Sequence, residues 1–348
     1  MQAQTLANLR GEIEFRRKLA EQHVSGRLLL LDYYGKDAHD AILRERMATT
    51  LREISALQAR GVQLSPFLEL GAERGQRALV LVNDLGANGI AADISFDQLK
   101  TAEHFARLFG KPKLPLRVCC DVNHLPLRSG SLPLVFCYEF LHHFPALAPI
   151  VQEIHRVLGR GAFFFNEEPY HRPRLPLFRQ RQKVYAAESL KRGKVVRYLA
   201  KFFTEEWCDE REHGIVENHD IPLREWIAAC QIFDERDLTA ASLEGRIRSR
   251  LGDRLGLRHL LNLLLGGGVT GLCRKQGSQH TPAPANLAEL LICPDCLTKK
   301  QTEAALQTIS GGLRCPSCTT SFPQMDGVQF LLPTDLFRAL YPELAASS

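Results

Sequence analysis

Short apolar segments alternate with longer amphipathic ones between Pro66 and Pro169, and this alternation restricts the possible folds more than any other feature. Short apolar runs favour buried strands, and the longer segments favour helices between them. The alternation therefore predicts an α/β fold, with a parallel sheet that has helices on both faces. The segments are, in chain order, PFLEL, GQRALVLVNDLGA, GIAADIS, FDQLKTAEHFARLFG, LRVCCDV, LPLVFCYEF, APIVQEIHRVLGRG and GAFFFNEEP.

Polar side chains and glycines follow the predicted strands at the points where each strand ends. Open parallel sheets bind ligands at the carboxyl ends of their strands, so these residues are candidates for a binding site. The first strand leads into Glu69, Gly71 and Gly75, the second into Asp93, and the third into Asp121. The fourth is followed by three further candidates: Glu139, His142 and His143.

The turn after the first strand favours S-adenosylmethionine over a dinucleotide. A pyrophosphate prefers a loop of three glycines, whereas Glu73 occupies the position of the middle one and would repel phosphate. S-adenosylmethionine has no phosphate, and its sulfonium and ammonium groups tolerate acids. Asp93 can accept from ribose hydroxyls in either cofactor, while Asp121 is placed to accept from an adenine amino group, beside the backbone N–H of Val122.

Four segments, in order and spacing, resemble the class I S-adenosylmethionine-dependent methyltransferases over roughly Phe67 to Pro169. The resemblance implies a Rossmann-like fold and a cofactor site lined by Glu69, Gly71, Gly75, Asp93, Asp121 and Val122, with Tyr138 and Glu139 near the sulfonium. On the residues alone, the glycines could simply end a strand, and Asp93 could cap a helix. The segments are LELGAERG, GIAADIS, CDVNHLPLRSGSLPLVFCYEFLHHF and IVQEIHRVLGRGAFFFNEEP.

Methyl transfer needs an aligned acceptor, and a general base only where the acceptor must lose a proton early. The candidate bases are His142, His143, Glu139 and Glu167, although a histidine after the fourth strand can also serve packing or helix capping. Methyltransferases that act on amide or ring nitrogens carry an Asn-Pro-Pro-aromatic turn at this point. The turn here reads YEFLHHF, which argues against that activity.

The remaining segments predict a helical region before the core, an insertion after its fifth strand and a further domain at the end. We expect a core of residues 62–170, which residues 266–276 rejoin as a returning strand. A helical lid follows the core, and its first part, residues 171–201, contains ten Lys or Arg and one acid. Such a segment could contact a polyanion, such as tRNA or an anionic lipid surface, or be a solvated helix face. The other predicted units are residues 1–61 (helical), 171–265 (lid), 277–286 (linker) and 287–348 (zinc domain).

Two Cys-x-x-Cys pairs near the end of the chain predict a metal site. Cys293 and Cys296 are separated from Cys315 and Cys318 by eighteen residues, a spacing typical of four-thiolate zinc sites. Four thiolates leave no open position, so the zinc would be structural, and disulfides are the alternative. Residues 287–337 also resemble the small zinc-ribbon family that includes the tRNA-methyltransferase activator subunit, which implies that this domain docks on the methyltransferase core in cis.

The length and composition agree with a globular protein of several domains. The chain has 348 residues, 45% of them hydrophobic, and its formal net charge is +5. Its N-terminal segment is too polar for a secretory signal, and no apolar run reaches the roughly 20 residues that span a bilayer. We expect a cytoplasmic methyltransferase that acts on a small molecule, a lipid or glycan precursor or a tRNA nucleoside; the alternative is a non-catalytic binding platform.

Overall fold

The computed structural model describes residues 3–25, 35–170, 181–183, 205–207, 221–242, 245–251, 256–277 and 286–346. The helices are α1 (Ala3–Ser25), α2 (Gly35–Ala59), α3 (Gln76–Asn83), α4 (Phe96–Lys100), α5 (Ala102–Leu108), α6 (Leu147–Val157), α7 (Leu223–Ala229), α8 (Leu257–Leu265), α9 (Pro294–Lys300), α10 (Thr334–Leu340) and α11 (Pro342–Ala345).

The strands are β1 (Phe67–Leu70), β2 (Gly89–Asp93), β3 (Leu116–Cys120), β4 (Leu132–Tyr138), β5 (Leu158–Tyr170), β6 (Arg181–Lys183), β7 (Glu205–Trp207), β8 (Glu235–Ser242), β9 (Ile247–Arg250), β10 (Gly267–Lys275), β11 (Gln307–Ile309), β12 (Gly312–Arg314), β13 (Ser321–Met325) and β14 (Val328–Leu331). Twelve of them form one sheet, in the order β11-β12-β13-β14-β3-β2-β1-β4-β5-β10-β8-β9, while β6 and β7 pair separately.

The centre of the sheet is the predicted Rossmann-like core. Strands β3, β2, β1, β4 and β5 are parallel, and β10 returns antiparallel between β5 and β8. The central strands β1 and β4 are buried at every position, which agrees with sequences that are apolar except for Glu69 of β1. The polar residues that follow β1 to β4 therefore meet at one edge of the sheet.

The prediction of a helical lid over residues 171–265 is wrong for part of that range. Residues 235–250 contain β8 and β9, and β8 pairs with β10 inside the central sheet. The second half of β8 alternates buried and half-buried residues, which is a strand pattern that the charged residues at its start conceal. Most of the basic segment, residues 171–201, lies outside the described residues, so its contact with a polyanion stays a prediction.

The C-terminal residues extend the same sheet. Strand β14 pairs in parallel with β3, with Val328 opposite Arg117 and Leu331 opposite Cys120. A second contact joins Leu291 to Leu127 through an isolated β-bridge, beside an ion pair between Arg156 and Glu303. The backbone groups of β3 that would otherwise face solvent are thus paired. Residues 286–346, called the C-terminal unit below, share their apolar core with the rest of the protein.

Helices α1 and α2 cover the polar edge and one face of the sheet. Helix α1 contacts α4 and α10, and α2 contacts α3. Apolar side chains of both helices, such as Ile13 and Ile54, belong to the core beneath them. None of the helices among the described residues is long and apolar enough to cross a membrane.

Candidate functional site

Three of the predicted cofactor residues lie at neighbouring strand ends. Glu69 belongs to β1, Asp93 ends β2 and Asp121 directly follows β3. Because β2 lies between β1 and β3, the structure brings these carboxyl groups to one edge of the sheet. This is the edge at which open α/β sheets bind ligands.

The loop after β1 has a backbone shape that requires glycine. Gly71 and Gly75 have φ of +63° and +69°, and Glu73 between them also has a positive φ of 48°. A Cβ atom at Gly71 would lie 2.3 Å from the ring of Phe140, so this ring packs directly on bare backbone. Strained non-glycine backbone of the kind found at Glu73 is concentrated at functional sites.

The carboxylate of Asp93 is held by backbone amides on both sides. Its Oδ2 accepts from the amide of Glu73 and its Oδ1 from the amide of Ser95, both at 2.8 Å. Burial raises the pKa of Asp93 to about 6, although the two amides and the charge of Arg16 oppose this shift. Each oxygen keeps a further lone pair, so the group can still accept from hydroxyls of a ligand.

An arginine from α1 neutralises the acid in the glycine loop. Nη1 of Arg16 lies 2.5 Å from Oε1 of Glu73. Burial acts to raise the pKa of Glu73, but Arg16, Arg74 and Arg46 together hold this pKa well below its usual range. The carboxylate that interrupts the glycine pattern is therefore ionised and paired, and α1 forms part of the site.

Glu69 supports the loop from inside the protein. Its side chain is buried, and its Oε2 accepts from the amide of Ala78 in α3 at 2.8 Å. Burial raises the pKa of Glu69 to about 8, against the opposing charge of Arg77. Its carboxyl group is directed at the first turn of α3, and a contact of Glu69 with the cofactor stays a prediction.

Asp121 and Val122 begin a short turn at the end of β3. Oδ1 of Asp121 accepts from both the backbone amide and the side-chain amide of Asn123, at 3.0 and 2.7 Å. Oδ2 of Asp121 lies 3.7 Å from Nδ1 of His124, and the hydrogen bond to Asp121 raises the pKa of this histidine. Val122 is buried beneath the turn.

Tyr138 joins the end of β4 to α2. Its hydroxyl donates to Glu53 at 2.8 Å, and the same carboxylate accepts from the side-chain amide of Asn166 at 2.9 Å. The guanidinium of Arg77 lies over the tyrosine ring, 3.8 Å from its centroid. Helix α2 thus closes the ends of β4 and β5 with polar contacts.

The three predicted catalytic residues lie together in the turn after β4. Glu139 is half-exposed, has a positive φ of 47° and is 3.5 Å from Arg46. His142 is buried and His143 half-buried, with their ring centroids 4.4 Å apart. The fourth candidate, Glu167, lies in β5, and its side chain is outside the described residues.

A buried carboxylate from β5, Glu168, holds this turn. Its oxygens accept from the backbone amides of Phe140, Leu141 and His142, at 2.8, 2.9 and 3.2 Å. Oε2 of Glu168 also lies 3.0 Å from Nδ1 of His142. The contact fixes the orientation of the imidazole ring relative to the turn.

The four predicted metal ligands form one cluster. The sulfur atoms of Cys293, Cys296, Cys315 and Cys318 all lie within 4.8 Å of one another. The Cys293–Cys318 and Cys296–Cys315 sulfur pairs are 3.5 and 3.8 Å apart, too far for a disulfide bond. Tetrahedral zinc with Zn–S bonds of about 2.3 Å requires sulfur separations of about 3.8 Å, so this donor set fits a zinc ion.

The sequence was compared with families of known proteins. Residues 68–166 match the family model described as a methyltransferase domain. The match begins in β1 and ends in β5, so it contains all the candidate residues at the strand ends. It supports a class I S-adenosylmethionine-dependent methyltransferase domain in this part of the chain.

Individual relatives are distant. "Sterol methyltransferase-like 1" of Botryococcus braunii is 26% identical over 106 residues, which are 30% of this chain and 27% of that protein. A solved structure of a predicted methyltransferase from Bacillus halodurans has 16% identity and a TM-score of 0.40, over 65% of this chain and 99% of that one. A chain from the complex between the Trm112 methyltransferase activator of Haloferax volcanii and a predicted methyltransferase has 16% identity and a TM-score of 0.39, over 70% of this chain and 96% of that one.

Three residues of the site are not among the candidates that the strand ends provide. Arg16 and Glu53 lie on the N-terminal helices, and only the folded structure brings them to the sheet edge. Glu168 lies near the end of β5, within the predicted segment GAFFFNEEP. The parallel pairing of β4 with β5, which sets Tyr138 opposite Asn166, is the signal that could have placed Glu168 beside the turn.

Glu168→Gln should lower the free energy of unfolding by about 2–3 kcal/mol, because one acceptor oxygen is replaced by a donor that faces backbone amides. Urea unfolding measures this change. Glu139→Gln is the matched control, since its half-exposed carboxylate should contribute less than about 1 kcal/mol. Equal effects of the two substitutions would contradict the role assigned to Glu168.

Proposed function

We propose that this protein is an S-adenosylmethionine-dependent methyltransferase. The proposal rests on one observation above all: Asp93 and Asp121 lie at neighbouring strand ends beside a glycine loop, within the segment that matches a methyltransferase domain. The loop also departs from the three-glycine pattern that a pyrophosphate prefers, because Glu73 occupies the position of the middle glycine.

The residues of the strand ends suit the parts of this cofactor. Asp93 would accept from the two ribose hydroxyls, and Asp121 with the backbone of Val122 would hold the adenine. The loop from Gly71 to Gly75, whose left-handed backbone requires glycine at both ends, would hold the amino-acid part. Bound here, the cofactor supplies a methyl group activated by a positively charged sulfur.

The chain's own residues would align the acceptor and accept its proton. Tyr138, Glu139 and Glu53 lie where α2 meets the ends of β4 and β5, and they would orient the acceptor. His142 is our candidate for a base, because Glu168 orients its ring through a contact of 3.0 Å to Nδ1. A hydroxyl acceptor would make the fullest use of such a base.

The acceptor belongs to one of the classes that the sequence leaves open. A small molecule, a lipid or glycan precursor and a tRNA nucleoside all agree with the polar side chains at the ends of β4 and β5. The basic segment at residues 171–201 would favour an anionic acceptor or a polyanionic carrier. The alternative is a non-catalytic platform with the same fold, which would lack cofactor binding.

Calorimetric titration with S-adenosylmethionine and S-adenosylhomocysteine tests the proposal. We expect micromolar binding that Asp93→Ala abolishes, because the variant loses the acceptor for the ribose hydroxyls. Asp84→Asn, which alters an exposed carboxylate at the end of α3, should bind as the unmodified protein does. No binding by folded protein would favour the platform.

Cofactor affinity should also depend on pH through Asp93. Ribose hydroxyls favour the ionised carboxylate, so affinity is full above the pKa of about 6 and falls as the pH drops through it. The Kd should therefore rise about tenfold between about pH 7 and pH 5. Asp93→Asn should weaken binding and remove this dependence, and an equally steep profile in the variant would assign the titration to another group.

We further propose that the four cysteines hold a structural zinc ion. Four thiolates complete a tetrahedral shell, so the ion would contribute to folding and leave no position for substrate. The C-terminal unit would then stabilise the core through the pairing of β14 with β3.

Metal analysis of the purified protein should give one zinc ion per chain. Cys315→Ser should lose the metal and lower the melting temperature, because the shell is broken. Cys230→Ala, which alters a buried cysteine outside the cluster, should keep one zinc ion. Retention of the metal by Cys315→Ser would contradict the assigned ligand set.

A further inference from the structure

Tyr341, at the end of α10, reaches the loop that carries Asp93. Its side chain is completely buried, and its hydroxyl donates to the carbonyl oxygen of Ile94 at 2.7 Å. The same hydroxyl accepts from the amide of Phe96 at 3.0 Å. One side chain of the C-terminal unit therefore fixes the backbone on both sides of Ser95.

Ser95 is the residue through which this loop holds the candidate ribose carboxylate. Its amide donates to Oδ1 of Asp93 at 2.8 Å, and its hydroxyl accepts from the amide of Gln98 at the start of α4. A shift of the backbone at Ile94 or Phe96 would move the Ser95 amide and change the direction of the Asp93 carboxylate. Tyr341 thus lies two contacts away from the predicted cofactor contact.

The hydroxyl is held in place by contacts that begin at the cysteine cluster. Asp295, between Cys293 and Cys296, accepts from the amide of Thr334 at 3.0 Å and from its hydroxyl at 2.5 Å. Thr334 is the first residue of α10, and Tyr341 follows the last one. The helix therefore connects the cysteine cluster to the Asp93 loop.

Aromatic contacts surround the tyrosine ring, and ion pairs join the helices near it. Its ring lies against Phe330 of β14 and Phe337 of α10, with ring centroids 5.6 and 6.3 Å away. Arg17 of α1 pairs with Asp97 in α4 and with Glu343 in α11, at 2.9 and 2.8 Å. Helices α1 and α11 and the start of α4 are thus joined around the same loop.

We propose that Tyr341 is a positioning residue for cofactor binding, through which the C-terminal unit sets the geometry of the Asp93 loop. This inference rests on the proposed function. It assigns to the Tyr341 hydroxyl an effect on cofactor affinity in addition to its contribution to the stability of the core. The observations that carry it are the two hydrogen bonds of the Tyr341 hydroxyl, to the backbone of Ile94 and of Phe96.

Tyr341→Phe tests the inference, because it keeps the ring and removes only the hydroxyl. Calorimetric titration should show a Kd for S-adenosylmethionine that is about five- to tenfold higher, with zinc content unchanged. Tyr170→Phe is the matched control: its hydroxyl is also buried and donates to a backbone carbonyl, that of Asn262, at 3.0 Å. A Kd within twofold of the unmodified protein for Tyr341→Phe, or an equal increase for Tyr170→Phe, would overturn the inference.

Hydrogen exchange without cofactor separates this inference from the proposed function. The amide of Phe96 should exchange faster in Tyr341→Phe, and unchanged protection there would overturn the loop contact. If the unmodified protein binds no cofactor while this exchange is faster, the proposed function fails and the contact with the loop is supported.

Thr334→Ala provides a second variant within α10. It removes the hydroxyl contact to Asp295, and it should raise the Kd less than Tyr341→Phe does. The double variant should show less than the product of the two single effects, because both act through the same helix. Fully multiplicative effects would overturn the connection from the cysteine cluster to the loop.

Discussion

The pairing of β14 with β3 is the interaction on which the arrangement of the whole chain depends. Parallel sheets of this kind are buried on both faces, and the backbone groups of β3 would be left open at its edge. Strand β14 pairs with those groups and aligns Val328 to Leu331 with Arg117 to Cys120. Everything that follows β14, including α10, α11 and Tyr341, is thereby carried to the polar edge of the sheet.

Charge balance at that edge is achieved by parts of the chain that are far apart in sequence. Glu73, Asp93 and Glu69 lie close together, so each raises the cost of ionising its neighbours. Arg16 from α1 reduces that cost at Glu73, and backbone amides do so at Asp93. The N-terminal helices therefore belong to the electrostatics of the site, although they lie outside the segment that matches the methyltransferase family.

The sequence was sufficient for features that depend on local patterns. The order of the central strands places Asp93 and Asp121 at neighbouring ends, and the spacing of the four cysteines predicts their cluster. It failed at β8, where the charges of Glu235, Arg236 and Asp237 resemble those of an exposed helix. The roles of Arg16, Glu53 and Tyr341 could not be predicted, because tertiary packing determines which residues they contact. Tyr341 and Ile94, for example, are 247 residues apart in the chain.

The pairing of β14 with β3 also determines whether another protein can add a strand at this position. A separate zinc-ribbon subunit that added its strand to a sheet of this kind would find the position already filled by β14. Because the core and the C-terminal unit belong to one chain, they are always present in equal numbers. Addition of a strand by another chain is thereby excluded at β3.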